Sequence, residues 1–144
     1  MTAQAPVDSR PTAGVLPLWR LHLLRAGYLV LGVGLAVTKW PLFLDDAPWP
    51  LMDGVVTCML TAMSLLALVG LRYPLRMLPL LLFEVLWKLF WLAVVALPQW
   101  SAGEMDAATR EVAGACLLVV IFLIVIPWRH VATHYAAQRG DRWR

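Results

Sequence analysis

Glu84 and Lys88 are the two residues of this sequence whose types and spacing are best suited to chemistry. They lie near the middle of a long apolar stretch, where ionisable side chains are costly and therefore rare. A separation of four residues places both on one helix face, and an acid that precedes a base is the favourable order for an ion pair within a helix. Trp87 and Trp91 share that face. The four side chains predict either a structural ion pair or a face that binds a ligand, a partner or a proton.

The stretch that must position these side chains, 75–98, is long and apolar enough to cross a bilayer as a helix. On the insertion scale a central Glu or Lys costs about 2.5 to 3.5 kcal/mol, whereas each Leu, Phe or Val returns about 0.3 to 0.6 kcal/mol. The apolar residues of the stretch therefore nearly offset the two charges. We expect this helix to insert within a bundle, with Glu84 either paired to Lys88 or protonated, and both turned away from lipid.

The composition of the chain is that of a membrane protein, because 61% of its 144 residues are hydrophobic and only 15% are charged. Four apolar stretches have the length of a membrane span, at residues 18–40, 51–71, 75–98 and 110–128. We therefore predict an all-α fold, an integral membrane bundle of four antiparallel transmembrane helices over 18–136. A flexible tail, 1–17, precedes the bundle and a basic tail, 137–144, follows it. Asp106 is a candidate N-cap for the fourth helix.

The basic residues divide unevenly between the two ends of such a bundle. Of the 12 Lys and Arg residues, Lys88 lies within the third span, and Lys39 and Arg110 lie at one end. The others lie at the opposite end: Arg10, Arg20, Arg25, Arg72, Arg76, Arg129, Arg139, Arg142 and Arg144. The positive-inside rule then places both termini in the cytoplasm. Basic residues scattered beside a membrane are expected to contact the lipid bilayer, so no nucleic-acid partner is predicted.

A polar stripe runs along the second span. Asp53, Thr57, Thr61 and Ser64 recur at i, i+4, i+8 and i+11, which places them on one side of an otherwise apolar helix. We expect this side to face protein, because polar groups in hydrocarbon seek partners. Two interpretations stay open: the hydroxyls bond within the bundle, or Thr57, Thr61 and Ser64 form the wall of a small cavity opposite Glu84.

Histidines and cysteines give weaker signals. His130 and His134 have a metal-compatible spacing, and His22 lies at the same end of the bundle, so a zinc or haem site is conceivable. Because no cysteine or carboxylate lies close to them in sequence, we interpret them as interfacial histidines and predict no metal and no cofactor. Cys58 and Cys116 each lie within a predicted span, and we expect both to be small buried apolar side chains.

Three runs of the sequence resemble a known group of proteins. They are RAGYLVLGVGL, GLRYPLRMLPLLLFEVLWKLFWL and VIPWRHVATHY. Together they resemble an uncharacterised group of small four-helix bacterial inner-membrane proteins, and the similarity covers the chain beyond its N-terminal tail. This resemblance implies the four-helix fold and location in a bacterial inner membrane, and it implies no activity.

Two functions from different classes are consistent with the sequence. The first is a non-enzymatic multi-pass membrane protein, either an accessory subunit of a membrane-protein partner or a binder of a small lipophilic ligand, acting through the Glu84, Trp87, Lys88 and Trp91 face. The alternative is a proton-coupled small-molecule transporter that acts as a homo-oligomer, with Glu84 as the proton carrier. An enzyme is not predicted, because no cofactor motif or nucleophile constellation is present.

Overall fold

The computed structural model describes residues 16–45 and 49–136, and every regular element in these ranges is a helix. The predicted all-α fold is thus confirmed. The helices are α1 (Leu18–Leu44), α2 (Leu51–Arg72), α3 (Leu78–Ala102), α4 (Ala107–Val125) and the short α5 (Trp128–Val131), which continues into a π-helical turn (Ala132–Ala136). The first four are each long and apolar enough to cross a membrane. The predicted tails lie outside the described residues, apart from residues 16 and 17.

Proline and glycine residues lie near several helix ends that differ from the prediction. α1 runs beyond its predicted end at Trp40, with Pro41 inside the helix. α3 begins three residues later than predicted because Pro79 occupies its first turn, a position that proline favours. It continues past Pro98 and ends at Ala102, and the φ of 73° at the following Gly103 is the left-handed conformation typical of the residue after a helix.

The second half of α3 is not a regular α-helix. Leu92–Ala96 forms a π-helical turn, in which the backbone N–H of Leu97 donates to the carbonyl of Leu92, five residues earlier. Pro98 follows, and a proline has no N–H with which to continue the normal ladder. The widened turn therefore lies where the backbone adapts to Pro98. Such single turns inside α-helices are frequent at functional sites.

α4 begins where the sequence predicts an N-cap. The carboxylate of Asp106 accepts a hydrogen bond of 2.6 Å from the backbone N–H of Thr109, which confirms the capping prediction. This bond lowers the pKa of the Asp106 carboxyl below its ordinary value. The helix is interrupted at Leu118 and ends at Val125, short of its predicted end, because Ile126 precedes a proline and takes an extended conformation.

One apolar core joins the four long helices. Each helix contributes buried side chains at three- or four-residue spacing, so that only one stripe of its surface is covered. The main members are Leu24, Tyr28 and Leu31 of α1; Leu60, Met63 and Ala67 of α2; Leu78, Leu81 and Val85 of α3; and Val119, Phe122 and Val125 of α4. The opposite stripes expose large apolar side chains, as with Phe90 at 66% and Ile124 at 67%.

α1 and α2 form the most extensive helix pair. The Tyr28 ring of α1 lies so close to Gly70 of α2 that a Cβ on this glycine would overlap ring atoms. The Tyr28 hydroxyl donates a buried hydrogen bond of 2.9 Å to the carbonyl of Pro74, in the turn that follows α2. Gly32 of α1 lies against Ala67 and Leu68 of α2. Small residues thus allow the close approach of these two helices.

Candidate functional site

Glu84 and Lys88 form the predicted ion pair on α3. Lys88 Nζ lies 2.7 Å from Glu84 Oε1. The second carboxylate oxygen, Oε2, accepts a hydrogen bond of 2.7 Å from the indole Nε1 of Trp87. Glu84 is only 1% exposed, so a carboxylate within the core has both oxygens occupied by residues of its own helix. This satisfies the requirement that buried charges be paired and hydrogen-bonded.

Lys88 lies at the edge of the core, between α3 and α4. Its Nζ lies 5.7 Å from the ring centroid of Phe122 and 5.7 Å from that of Trp87. Both distances are within the range of a cation–π interaction. The Lys88 side chain is 12% exposed, whereas that of Glu84 is 2% exposed. The cationic end of the pair is therefore the end that remains open to the outside of the bundle.

Trp87 and Trp91 extend this surface along α3. Both are half-buried, and Trp91 directly precedes the π-helical turn. We call Glu84, Trp87, Lys88 and Trp91 the α3 polar face. On the neighbouring outward side of the same helix, Phe83, Leu86, Phe90 and Val94 are exposed and apolar. The polar face is therefore a strip that is partly covered by α4 and partly open.

The polar stripe of α2 serves the contact with α1. Thr57, Thr61 and Ser64 are buried, as predicted, whereas Asp53 is exposed. Thr61 Oγ1 donates to the carbonyl of Thr57 at 2.8 Å, and Ser64 Oγ donates to the carbonyl of Thr61 at 2.7 Å. Ser64 Oγ also accepts a bond of 2.9 Å from Trp40 Nε1 of α1. In the described parts of the chain, no hydrogen bond joins this stripe to Glu84, so these contacts favour the first of the two interpretations.

Trp40 is the site residue that the sequence does not reveal. The sequence places Trp40 at the last position of the first predicted span, where a tryptophan is expected to lie at the membrane interface. In the structure α1 continues past this position, and the indole N–H reaches Ser64 on the neighbouring helix. The sequence signal that could have revealed this bond is the polar stripe of α2, because a row of hydroxyls in an apolar helix indicates a hydrogen-bond partner on a neighbouring helix.

The three histidines do not gather with other ligands. The rings of His130 and His134 stack with their centroids 5.4 Å apart, and Tyr135 meets His134 edge-on. His22 is exposed on α1. Within 16–45 and 49–136, no group of three or more His, Cys, Asp or Glu side chains could hold a metal ion. The stacked pair is a contact between rings at the end of the bundle.

The two cysteines occupy different environments. Cys116 is buried, as expected, but Cys58 is exposed, and the prediction that it is buried is wrong. The reason lies in the stripe of α2, which turns Thr57 inward. Cys58 is the next residue, about 100° further round the helix, and therefore points away from the core.

Comparison of the chain with protein-family models, with curated proteins and with solved structures returns no match. The resemblance to small four-helix bacterial proteins therefore stays a prediction. The α3 polar face and the surfaces around it are the features that indicate a function.

Proposed function

We propose that this protein is a non-enzymatic multi-pass membrane protein that binds a membrane-protein partner or a small lipophilic ligand through the α3 polar face. One observation carries the proposal: the ion pair close to the middle of this apolar helix is buried at its acidic end, whereas its cationic end stays 12% exposed. Glu84 is buried and fully bonded, whereas Lys88 is partly open and lies beside two half-buried tryptophans.

The open side of this face is costly in a bilayer. Hydrocarbon offers no hydrogen bonds, so polar groups inside a membrane turn towards protein or water. An ammonium group has three donors, and the described structure directs one of them to Glu84. A partner carbonyl or the polar end of a lipophilic molecule would take the remaining donors. The indole rings of Trp87 and Trp91 would pack on its apolar part.

A proton-coupled transporter that acts as an oligomer is the second candidate, and the burial of Glu84 within the core favours it. A proton carrier has to part from its hydrogen-bond partners in each cycle. Both oxygens of Glu84 are occupied at 2.7 Å by residues of the same helix, which ties the carboxylate to α3. This arrangement supports a fixed binding face better than a cycling carrier.

We further propose that α1 to α4 cross a bacterial inner membrane as antiparallel neighbours, with both termini in the cytoplasm. The uneven distribution of basic residues supports this orientation. It is tested in a Cys58→Ser background, which keeps the buried Cys116, with one cysteine introduced at either Glu104 or Arg72, which are both exposed. An impermeant thiol reagent added to intact cells should label the cysteine at 104 and spare the one at 72. Labelling at 72 would overturn the orientation.

The binding face is tested by photo-crosslinking in cell membranes. A photoreactive amino acid at Trp91 reports on the polar face, and the same amino acid at Phe90 reports on the outward apolar side. We expect Trp91 to give one adduct of defined mass and Phe90 to give lipid adducts only. The adduct at Trp91 should disappear in a Glu84→Gln, Lys88→Met double variant that keeps the stability of the parent. Identical adducts from both positions would refute a specific face.

Flux measurements separate the two candidates. The purified protein in sealed vesicles should show no uptake of small lipophilic cations when the lumen is acidic. Acid-driven uptake that is lost in Glu84→Gln and kept in Asp53→Asn would establish the transporter instead, because Asp53 is an exposed acid outside the polar face.

A further inference from the structure

A second surface feature lies at the end of the bundle where α1 begins and α4 meets α5. It is a groove of about 660 Å³, open on one side. A volume of this size is within the range of small-molecule sites, about 300 to 1,000 Å³. Its lining comes from the residues before and within the first turn of α1, from the end of α4 and from α5.

One part of the lining is basic. Arg20, Arg129 and His130 line the groove, and no carboxylate of the described residues does so. The Arg20 guanidinium also lies 4.3 Å from the ring centroid of Trp19, which restricts its position. Guanidinium groups bind phosphate oxygens through two parallel hydrogen bonds. This part of the groove is therefore suited to a phosphate group.

The other part of the lining is apolar. Ile124, Ile126 and Pro127 line it, together with the ring of Trp128. The Trp128 indole N–H donates a bond of 2.8 Å to the carbonyl of Leu123, so its polar atom is satisfied by the chain. Ile124 is also exposed on the outward side of α4. The apolar part is thus continuous with the surface that the proposed membrane would cover.

We infer that this groove binds the phosphate headgroup of an anionic phospholipid, with Arg20 and Arg129 on the phosphate and the acyl chains along Ile124. The adjacency of a basic part and an apolar part favours a phosphate that carries acyl chains over a free phosphate ion. Basic pockets at the cytoplasmic ends of membrane helices are a recurrent form of lipid recognition. The inference rests on the proposed membrane insertion, but it is independent of the α3 polar face.

The test uses the full-length protein in mild detergent and native mass spectrometry. The probes are phosphatidylglycerol, phosphatidylcholine with the same acyl chains, and inorganic phosphate. We expect phosphatidylglycerol to be retained in preference to phosphatidylcholine. The double variant Arg20→Gln, Arg129→Gln should weaken its binding about 30-fold and the exposed Arg129→Gln alone about fivefold, from the typical contribution of one basic residue at a membrane surface.

The matched control is the double variant Arg72→Gln, Arg76→Gln. It removes the same charge from exposed arginines that do not line the groove, and its binding should stay within about twofold of the parent. If both double variants lose the same affinity for phosphatidylglycerol, the effect is one of net charge and the proposed site is overturned. Displacement of the lipid by inorganic phosphate would assign the groove to a free ion, and equal retention of both lipids would overturn the preference for an anionic headgroup.

If the protein retains neither lipid and stays soluble in water without detergent, both the proposed membrane insertion and the proposed lipid site are overturned. A loss of lipid binding in the groove variants does not test the proposed role of the α3 polar face, because that role is measured separately by crosslinking from Trp91. Melting temperatures of all variants establish that each binding change is measured on folded protein.

Discussion

On α1, the side chains of Tyr28 and Trp40 bond to the neighbouring helix or to the turn after it, whereas on α3 the Glu84 carboxylate bonds within the helix that carries it. Trp40 donates to Ser64 across the α1–α2 contact, and Tyr28 donates to Pro74 beyond the end of α2. Glu84, by contrast, takes both of its partners from its own helix, Trp87 and Lys88.

Hydrogen bonds between helices and hydrogen bonds within a helix have different effects on the arrangement of the bundle. A hydrogen bond between helices fixes their separation and rotation, so α1 and α2 are held to one arrangement. Among the described residues, the ion pair of α3 adds no hydrogen bond between helices, although Lys88 also contacts the Phe122 ring of α4. It leaves a partly open strip for something outside the chain. The α1–α2 pair is therefore the more tightly fixed part of the bundle, and α3 carries the face to which we assign the proposed binding.

Lys88 is the residue at which the difference between the two regions is tested most directly. Lys88→Met leaves the buried Glu84 without its cation, and we expect a loss of about 3 kcal/mol in the free energy of unfolding. The double variant Glu84→Gln, Lys88→Met removes both charges and should unfold close to the parent. Thermal unfolding in detergent of the parent, both single variants and the double variant is the measurement. Additive losses, with the double variant least stable, would show that the two residues do not act as a pair.

Gly70 tests the close contact of α1 with α2. Gly70→Ala places a methyl group where the Tyr28 ring lies, and this overlap should cost about 2 kcal/mol of unfolding free energy. Gly34→Ala is the control, because a Cβ at Gly34 meets no atom within 4 Å. It should be neutral or stabilising by up to about 1 kcal/mol, as alanine favours the helix. If both changes have equal effects in a denaturant titration, the packing described for Tyr28 is not the reason for the glycine.

Tyr28→Phe tests the contribution of the hydrogen bond separately from that of the ring. It keeps the ring and leaves the buried carbonyl of Pro74 without its donor, at a cost of about 1 kcal/mol. Tyr73→Phe serves as its control, because the Tyr73 hydroxyl is in an exposed contact with Arg72 and its removal should change little. Hydrogen exchange in α1 would detect the loss as faster opening. If the α1 amides of Tyr28→Phe exchange as slowly as those of the parent, the ring stabilises the contact and the hydrogen bond does not.

The smallest effect is expected at the start of α4. The pKa of Asp106 is lowered by its bond with Thr109, so the ionised cap stabilises the folded state above the ordinary pKa of 3.8, and this contribution is lost as pH falls below it. Asp106→Asn keeps an acceptor oxygen but does not titrate, so its melting temperature should depend less on pH in that range. If the melting temperatures of the parent and the variant change with pH in the same way, the charge of Asp106 does not contribute to stability.

The periodic features of the molecule are predictable from the sequence because they depend on local physics. The length of each apolar run, the 3.6-residue period that aligns Thr57, Thr61 and Ser64, and the four-residue spacing of Glu84 and Lys88 each follow from helix geometry. The Asp106 cap is local in the same sense.

Contacts between helices are a different matter, because they depend on rotation and depth that no single stretch encodes. The bond from Trp40 to Ser64 requires α1 to extend through Pro41 and α2 to turn its stripe towards α1 rather than α3. The same rotation decides that Cys58 points outward. A stripe predicts that a partner exists, but it does not say which helix supplies that partner.

The hydrogen bond between Tyr28 and Pro74 also sets an order of events during synthesis, because its two ends are separated by 46 residues. At 5 to 20 residues per second, Pro74 is made about 2 to 9 s after Tyr28. Throughout that interval α1 lacks the acceptor that completes its pairing with α2. Gly70 is made before Pro74, so the packing surface of the Tyr28 ring is synthesised before the acceptor of its hydroxyl.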